Sequence, residues 1–216
     1  MRKYGTCFFE RYAQISLESL LGPEYGSLVN KDRPDLQSSD GVSIGIEVTR
    51  AMEESRDAAR SLLKEMAGIS PMEEDREDLA EIVESGYAFG LQNGKYIGTR
   101  ELDYWAMALP MKRILESKIS KLSCGLYGSF RKMGLYVFCK DNLSEMDVFK
   151  ACKYAMSQQV LADRGYDTLY LSEVSCLHTC NLAEGLSDSS RIVSIPIPQE
   201  QRKQFYLKAL WEDMQP

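Results

Sequence analysis

Strict alternation of apolar and polar residues predicts one strand of this chain clearly. It covers residues 42–49, where every second position is apolar. The apolar members are Val42, Ile44, Ile46 and Val48, and the residues between them are Ser43, Gly45, Glu47 and Thr49. Because successive side chains of a strand point to opposite faces of the sheet, Glu47 and Thr49 are predicted to share a face, away from the aliphatic one.

Apolar positions repeated every three or four residues predict helices along much of the remaining chain. The first helix ends at Gly22-Pro23, and Ser144 with Asp147 resembles a capping box that opens a later one. A turn is predicted at Asn93-Gly94. The predicted helices span residues 8–21, 51–67, about 73–92, 109–123, 145–163 and 199–214.

Further extended segments complete the predicted pattern. They are short pieces over 26–38 around Pro34, buried strands at 134–139 and 168–172, and a small strand at 192–197. The segment 134–139 is apolar on both faces, as in a central strand covered by helices. From Ser175 onward the pattern is less regular and indicates a C-terminal extension over about 175–216. This order of elements predicts an α/β fold, with helices on both faces of a sheet.

The composition indicates a single domain over residues 1–216, 44% of them hydrophobic. The chain contains no run of 18 apolar residues, so no membrane span is predicted. Its first residues lack an apolar signal region of the usual length, so a cytoplasmic location is expected. The six cysteines are scattered, several of them within apolar segments, and are expected to be reduced.

The net charge of −6 disfavours tight, non-specific binding to nucleic acid, which depends on neutralising phosphates. An acidic protein can nevertheless carry a local basic patch. The cations that could form one are Lys112, Arg113, Lys118, Lys121, Arg131 and Lys132. These side chains either contact phosphates or form an ordinary solvated face. The sequence leaves the oligomeric state open, with a homodimer among the options.

Two carboxylates carry most of the functional interpretation. Asp35 follows Pro34 in a short extended piece, and Glu47 lies twelve residues later on the predicted strand. A charged residue within a covered strand is costly unless it is paired or binds a metal. The simpler alternative is that Asp35 is a turn residue and that Glu47 pairs with an arginine such as Arg33.

The run Asp32-Arg33-Pro34-Asp35, followed by Ile44-Gly45-Ile46-Glu47-Val48-Thr49, resembles the motif of the PD-(D/E)xK nuclease superfamily. The predicted order of elements over roughly residues 8–172 also resembles the core of that superfamily. The resemblance implies a three-layer α/β/α restriction-endonuclease-like fold with a mixed central sheet. It makes the region at about 51–105 a helical insertion.

The same resemblance implies a metal-dependent nuclease that acts on DNA. Asp35 and Glu47 would bind Mg²⁺ or Mn²⁺, with the carbonyl of Val48 as a further ligand. Either Glu10 or Glu18 of the first helix would complete the site, and Glu10 is preferred because it falls on the apolar face of that helix. Carboxylate oxygens suit such hard cations, and a bound ion offsets charge that develops on a phosphoryl group.

Thr49 departs from the family pattern, which implies a lysine two positions after the glutamate. A threonine hydroxyl can hydrogen-bond a water of the site, but it carries no positive charge. The threonine is therefore tolerated in an active enzyme, or a cation comes from Lys118, Lys121 or the adjacent Arg50. The third interpretation is that catalysis has been lost and the fold serves as a nucleic-acid- or protein-binding module.

The segment Cys176-Leu177-His178-Thr179-Cys180 contains the only histidine of the chain. In an extended strand, both thiols and His178 would lie on one side. A structural zinc site normally needs four ligands, and no second CxxC-type pair is present, so a zinc site is not favoured. With one histidine and no GxSxG motif a serine-triad hydrolase is poorly supported, and no GxGxxG or P-loop motif suggests a nucleotide cofactor.

Overall fold

The computed structural model describes residues 8–51, 91–92, 95–96, 109–139, 143–160, 162–173, 175–183 and 192–211. Within these ranges the chain forms four α-helices and nine strands. The helices are α1 (Phe8–Leu21), α2 (Leu109–Ser123), α3 (Glu145–Gln159) and α4 (Gln199–Trp211). The strands are β1 (Val29–Asn30), β2 (Leu36–Gln37), β3 (Ile44–Ala51), β4 (Leu91–Gln92), β5 (Lys95–Tyr96), β6 (Lys132–Cys139), β7 (Thr168–Ser172), β8 (Cys176–Asn181) and β9 (Ile192–Pro196).

Seven of the described strands form one mixed, open sheet in the order β1-β2-β3-β6-β7-β8-β9. The central strands β3, β6 and β7 are parallel, and the other neighbours pair antiparallel. The strands β4 and β5 pair antiparallel in a separate two-stranded sheet. Along the chain α2 precedes β6 and α3 precedes β7, so each of these helices leads into a parallel strand.

The central strands are covered on both faces, as their two-sided apolar pattern predicts. Leu135 and Val137 of β6 pack with α2 and α3 in one core. Tyr136 and Phe138 of the same strand point the other way and pack with α1 and α4 in a second core. The prediction of an α/β fold with helices on both faces of the sheet is therefore confirmed.

The strand that carries Glu47 is shifted by two residues from the predicted range of 42–49. Val42 and Ser43 belong to a turn in which both backbone amides donate to Asp40 Oδ1, each at 2.9 Å. The strand consequently begins at Ile44 and continues to Ala51. The capping box at Ser144 and Asp147 is present as predicted and begins α3.

The largest correction concerns the segment after Ser175, which the sequence pattern indicates as less regular. Residues Cys176–Asn181 form a strand that joins the main sheet beside β7, with Leu169 opposite Cys180. The strand is buried because its partner on one side is a central strand and its partner on the other is β9. The small strand predicted at 192–197 is β9.

The predicted helices of the insertion lie mostly outside the described residues, which omit 52–90 and 97–108. The described residues at the two ends of this region show that the predicted helix ends are wrong. Ala51 belongs to β3 and not to a helix, and Leu91–Gln92 pairs with Lys95–Tyr96 on either side of the predicted turn. None of the described helices combines the length and the apolar character needed to cross a membrane.

Candidate functional site

A small cavity lies beside β3, where residues from α1 and α2 meet the strand. Its lining residues are Phe9, Glu10, Asp35, Glu47, Val48, Thr49, Arg50 and Lys118. The cavity volume of about 50 Å³ gives room for a few water molecules or an ion, but not for a nucleotide.

One edge of β3 is unpaired beside this cavity, as far as the described residues show. The short strand β2 pairs with β3 only at Gly45 and Ile46. Beyond that point Asp35 takes the place of a neighbouring strand, because its Oδ2 accepts a hydrogen bond of 2.7 Å from the Val48 amide. In an antiparallel ladder the amide and the carbonyl of one residue point to the same edge. The Val48 carbonyl therefore faces the edge at which Asp35 lies.

Glu47 forms a salt bridge with a lysine of α2. Lys118 Nζ lies 2.5 Å from Glu47 Oε1, and the two side chains are 17% and 9% exposed. The alternative partner Arg33 instead lies 3.6 Å from the carboxylate of Asp32, in a solvent-exposed pair. A positive charge therefore stands next to the strand carboxylate although position 49 is a threonine.

Two buried tyrosines that no sequence pattern singles out complete the surroundings of Glu47. Tyr127 forms side-chain hydrogen bonds with Glu47 and Tyr166. The Tyr166 hydroxyl also donates to the Lys118 carbonyl at 3.3 Å. Burial, reinforced by the charge of Glu47, raises the pKa of Tyr127, and mainly burial raises that of Tyr166, so both remain protonated donors. These contacts fix the strand carboxylate and the helix residue that pairs with it.

Of the two candidate residues on α1, and of the two on α2, only one in each case lines the cavity. Glu10 lines the cavity, and its carboxylate accepts a hydrogen bond from the side chain of Asn30. Glu18 is exposed and lies apart from the cavity, two turns further along α1. Lys121 of α2 is likewise exposed and is not a lining residue. The predicted residues brought together are Glu10, Asp35, Glu47, Val48, Thr49 and Lys118.

Arg50 is a second cation of the cavity lining, and it approaches from the opposite face of β3. Its guanidinium lies 5.2 Å from the centre of the Phe9 ring, a cation–π contact that holds it against α1.

Thr49 is half-buried and shares the face of Glu47, as the alternation predicts. Sequence reasoning missed Phe9, since an aromatic residue at the start of an amphipathic helix is ordinary core material.

Asp35 lies buried in the cavity beside two other carboxylates, and its pKa is raised. Burial raises the pKa of Asp35 to about 8, and the charges of Glu47 and Glu10 act in the same direction. The hydrogen bond from the Val48 amide and the charge of Lys118 oppose this rise only in part. A bound cation would lower the same pKa, because an opposite charge favours the ionised carboxylate.

The chemistry of these donors fits a hard divalent cation. Magnesium is usually held by one or two carboxylates together with waters and substrate phosphates. Asp35, Glu47 and the Val48 carbonyl supply oxygen atoms of that kind. The described residues contain no group of three or more His, Cys, Asp or Glu side chains arranged to hold a metal ion. The fit is therefore to a site in which water and substrate complete the coordination.

Gly45 allows the segment of Asp35 to approach β3 closely. A Cβ at this position would lie 2.8 Å from Pro34 Cγ, 2.8 Å from Phe130 Cδ2 and 2.9 Å from Met133 Sδ. We expect Gly45→Ala to destabilise the protein by about 1–3 kcal/mol, because the rigid proline ring must move and carries Asp35 with it. Urea denaturation measures this loss.

Gly26→Ala is the matched control for that substitution. The three atoms nearest to its Cβ would all belong to the side chain of the exposed Glu18, which can turn away. Gly26 also has a φ of −68°, which alanine adopts readily. Equal stability losses in the two variants would contradict the role given to Gly45.

No protein-family model matches the chain, and no curated protein or solved structure is significantly similar to it.

Proposed function

We propose that the protein is a metal-dependent phosphodiesterase that cleaves nucleic acid, with DNA as its substrate. One observation carries the proposal. Lys118 lies 2.5 Å from Glu47 in a cavity that also contains Asp35, so a cation stands beside the two carboxylates despite Thr49. This is the combination of charges that phosphodiester hydrolysis needs, since negative charge grows on the phosphoryl oxygens in the transition state.

The order of elements supports membership of the PD-(D/E)xK superfamily. The described chain runs α1, the antiparallel strands β1 to β3, the pair β4–β5, α2, β6, α3 and β7. The pair β4–β5 falls in the inferred insertion. The resemblance implies the same succession of a helix, a three-stranded meander, a helix, a strand, a helix and a strand. We infer a restriction-endonuclease-like, three-layer core with β8, β9 and α4 added after it.

In this proposal the carboxylates, Val48, Lys118 and Thr49 of the cavity have separate tasks. Asp35, Glu47 and the Val48 carbonyl would hold Mg²⁺ or Mn²⁺, and Glu10 would add negative charge from α1. When bound, the ion would acidify water and offset charge on the phosphoryl group. Lys118 would stabilise that charge from the α2 side, and the Thr49 hydroxyl would orient a water. The buried tyrosines would keep Glu47 and Lys118 in register.

The deciding experiment measures cleavage of labelled single- and double-stranded DNA with Mg²⁺, Mn²⁺ or a chelator. We expect cleavage that depends on the divalent ion and falls on the order of 10²-fold or more in Asp35→Ala and Glu47→Ala. Glu18→Ala is the control, because that exposed glutamate lies outside the cavity. Absence of both cleavage and calorimetric metal binding in the wild type would overturn the proposal.

A second function, a catalytically silent binding module, is favoured by a different observation. Both carboxylates already have partners within the protein, since Val48 donates to Asp35 and Lys118 pairs with Glu47. These contacts hold both side chains in place without an ion. Binding of DNA that is unaffected by chelator, in a protein that never cleaves it, would select this second function.

A further inference from the structure

A second cluster of reactive side chains lies at the far side of the sheet, on β8, on β9 and directly after β7. His178 of β8 and Ser194 of β9 are directly opposite each other in the antiparallel ladder. His178 Nδ1 lies 2.8 Å from Ser194 Oγ, and His178 Nε2 lies 3.2 Å from Glu173 Oε1. None of these residues borders the cavity beside β3. The histidine thus connects a serine hydroxyl to a carboxylate.

The partners of the carboxylate fix the direction of these hydrogen bonds. Glu173 Oε1 also accepts a hydrogen bond from the Leu143 amide, as a carboxylate oxygen does. With Glu173 ionised and the imidazole neutral, the carboxylate can only accept, so the ring proton lies on Nε2. The Nδ1 atom then carries the lone pair and accepts the hydroxyl proton of Ser194. The tautomer required of a general base is therefore the one that Glu173 stabilises.

Burial differs along the cluster in the way a nucleophilic site requires. Glu173 and His178 are only 5% and 8% exposed, whereas Ser194 is exposed on β9, the last strand of the sheet. Cys176 also approaches His178, but its Sγ lies 4.0 Å from Nδ1. Ser194 is therefore the residue that forms the shorter hydrogen bond with His178 Nδ1.

We propose that Ser194 is a general-base-activated nucleophile and that this cluster takes up acyl groups from small esters. In the step, a bond forms between Ser194 Oγ and the carbonyl carbon of the ester. The bond from that carbon to the leaving oxygen breaks, and the leaving group departs with the electron pair. The hydroxyl proton passes to His178 Nδ1 and then to solvent. Glu173 acts as the positioning residue that holds the imidazole tautomer.

The proposal covers formation of the acyl bond, because activation of the hydroxyl is what these contacts provide. General-base assistance typically contributes about 10²–10⁴-fold to such a step. Acylation of Ser194 involves no residue that lines the cavity beside β3, so the two sites can be tested separately in one preparation.

The test treats the full-length protein with p-nitrophenyl acetate and follows acetylation of each residue by peptide mass spectrometry. Ser157 is the internal control, because it is exposed and its hydroxyl donates to the Tyr154 carbonyl and not to an imidazole. We expect Ser194 to be acetylated about 10²-fold faster than Ser157 within the same molecules. Equal rates for the two serines, or acetylation of His178 in place of Ser194, would overturn the proposal.

Variants separate activation from mere exposure. Ser194→Ala should remove the adduct, and His178→Gln and Glu173→Gln should slow acetylation at Ser194 at least about 10-fold, while thermal melts show the folded state. An unchanged rate in folded His178→Gln would also overturn the proposal. If that variant does not fold, the comparison of Ser194 with Ser157 in the wild type still decides the question.

Discussion

Replacing Lys118 by alanine is expected to destabilise the protein by about 3 kcal/mol and to abolish cleavage of DNA. The substitution leaves the carboxylate of Glu47 buried without its cation, and that carboxylate is only 9% exposed. The hydrogen bond with Tyr127 remains, but it carries no compensating charge. Urea denaturation and the cleavage assay measure the two effects. Lys121→Ala is the control, since this exposed lysine lies one turn further along α2.

A double variant distinguishes the chemical role of Lys118 from its structural role. Glu47→Gln together with Lys118→Met removes both charges while keeping a hydrogen-bonding group beside Tyr127. Replacement of a buried ion pair by neutral groups of similar size is often nearly neutral for stability. We therefore expect stability close to that of the wild type and no cleavage. Cleavage in this stable variant would show that neither charge takes part in the reaction.

The second large effect is a dependence of stability on pH and on metal. The pKa of Asp35 is raised in the folded protein to about 8 and is near 3.8 in the unfolded chain. The stabilisation from its protonated form is thus complete below about pH 4 and is lost as pH rises toward about 8. Each pKa unit corresponds to about 1.4 kcal/mol, so a loss of at least about 2 kcal/mol is expected across this range without metal.

Asp35→Asn is the reference for that measurement, because asparagine cannot ionise. Urea denaturation of both proteins in chelator should show the wild type losing stability relative to the variant as pH rises. Added Mn²⁺ should restore the wild type at about pH 8 and have no effect on Asp35→Asn, since an ion replaces the proton at the carboxylate. Parallel pH curves for the two proteins would contradict the raised pKa. Equal responses to Mn²⁺ would place the ion elsewhere.

Elements with a strong local pattern were predictable from the sequence. The strand β7 occupies the predicted residues Thr168–Ser172, and α2 occupies the predicted range 109–123. The start of β3 was not predictable from alternation, since the Asp40 side chain binds the amides of the two residues that would have extended it. Local hydrogen bonds of a turn compete with a strand ladder, and residue periodicity does not report them.

The candidate site was predictable in its carboxylates but not in its surroundings. Glu47 is recognisable because a charge in a covered strand needs a partner, and Asp35 because it follows Pro34 in the motif that the sequence resembles. Which lysine of α2 becomes that partner depends on how the helix crosses the sheet, and Lys118 and Lys121 are equally basic in sequence. Tyr127 lies in a loop between α2 and β6, where no periodic pattern marks it. Only the three-dimensional contact with Glu47 identifies it.

The hydrogen bond from Val48 to Asp35 makes one peptide group an internal spectroscopic reporter. The amide proton of Val48 points at the Asp35 carboxylate, which lines the cavity. Its nuclear magnetic resonance shift and its rate of exchange with deuterium should therefore change when Asp35 gains a proton or a metal. A single resonance on the backbone of β3 can follow occupancy of the cavity without any substrate being known.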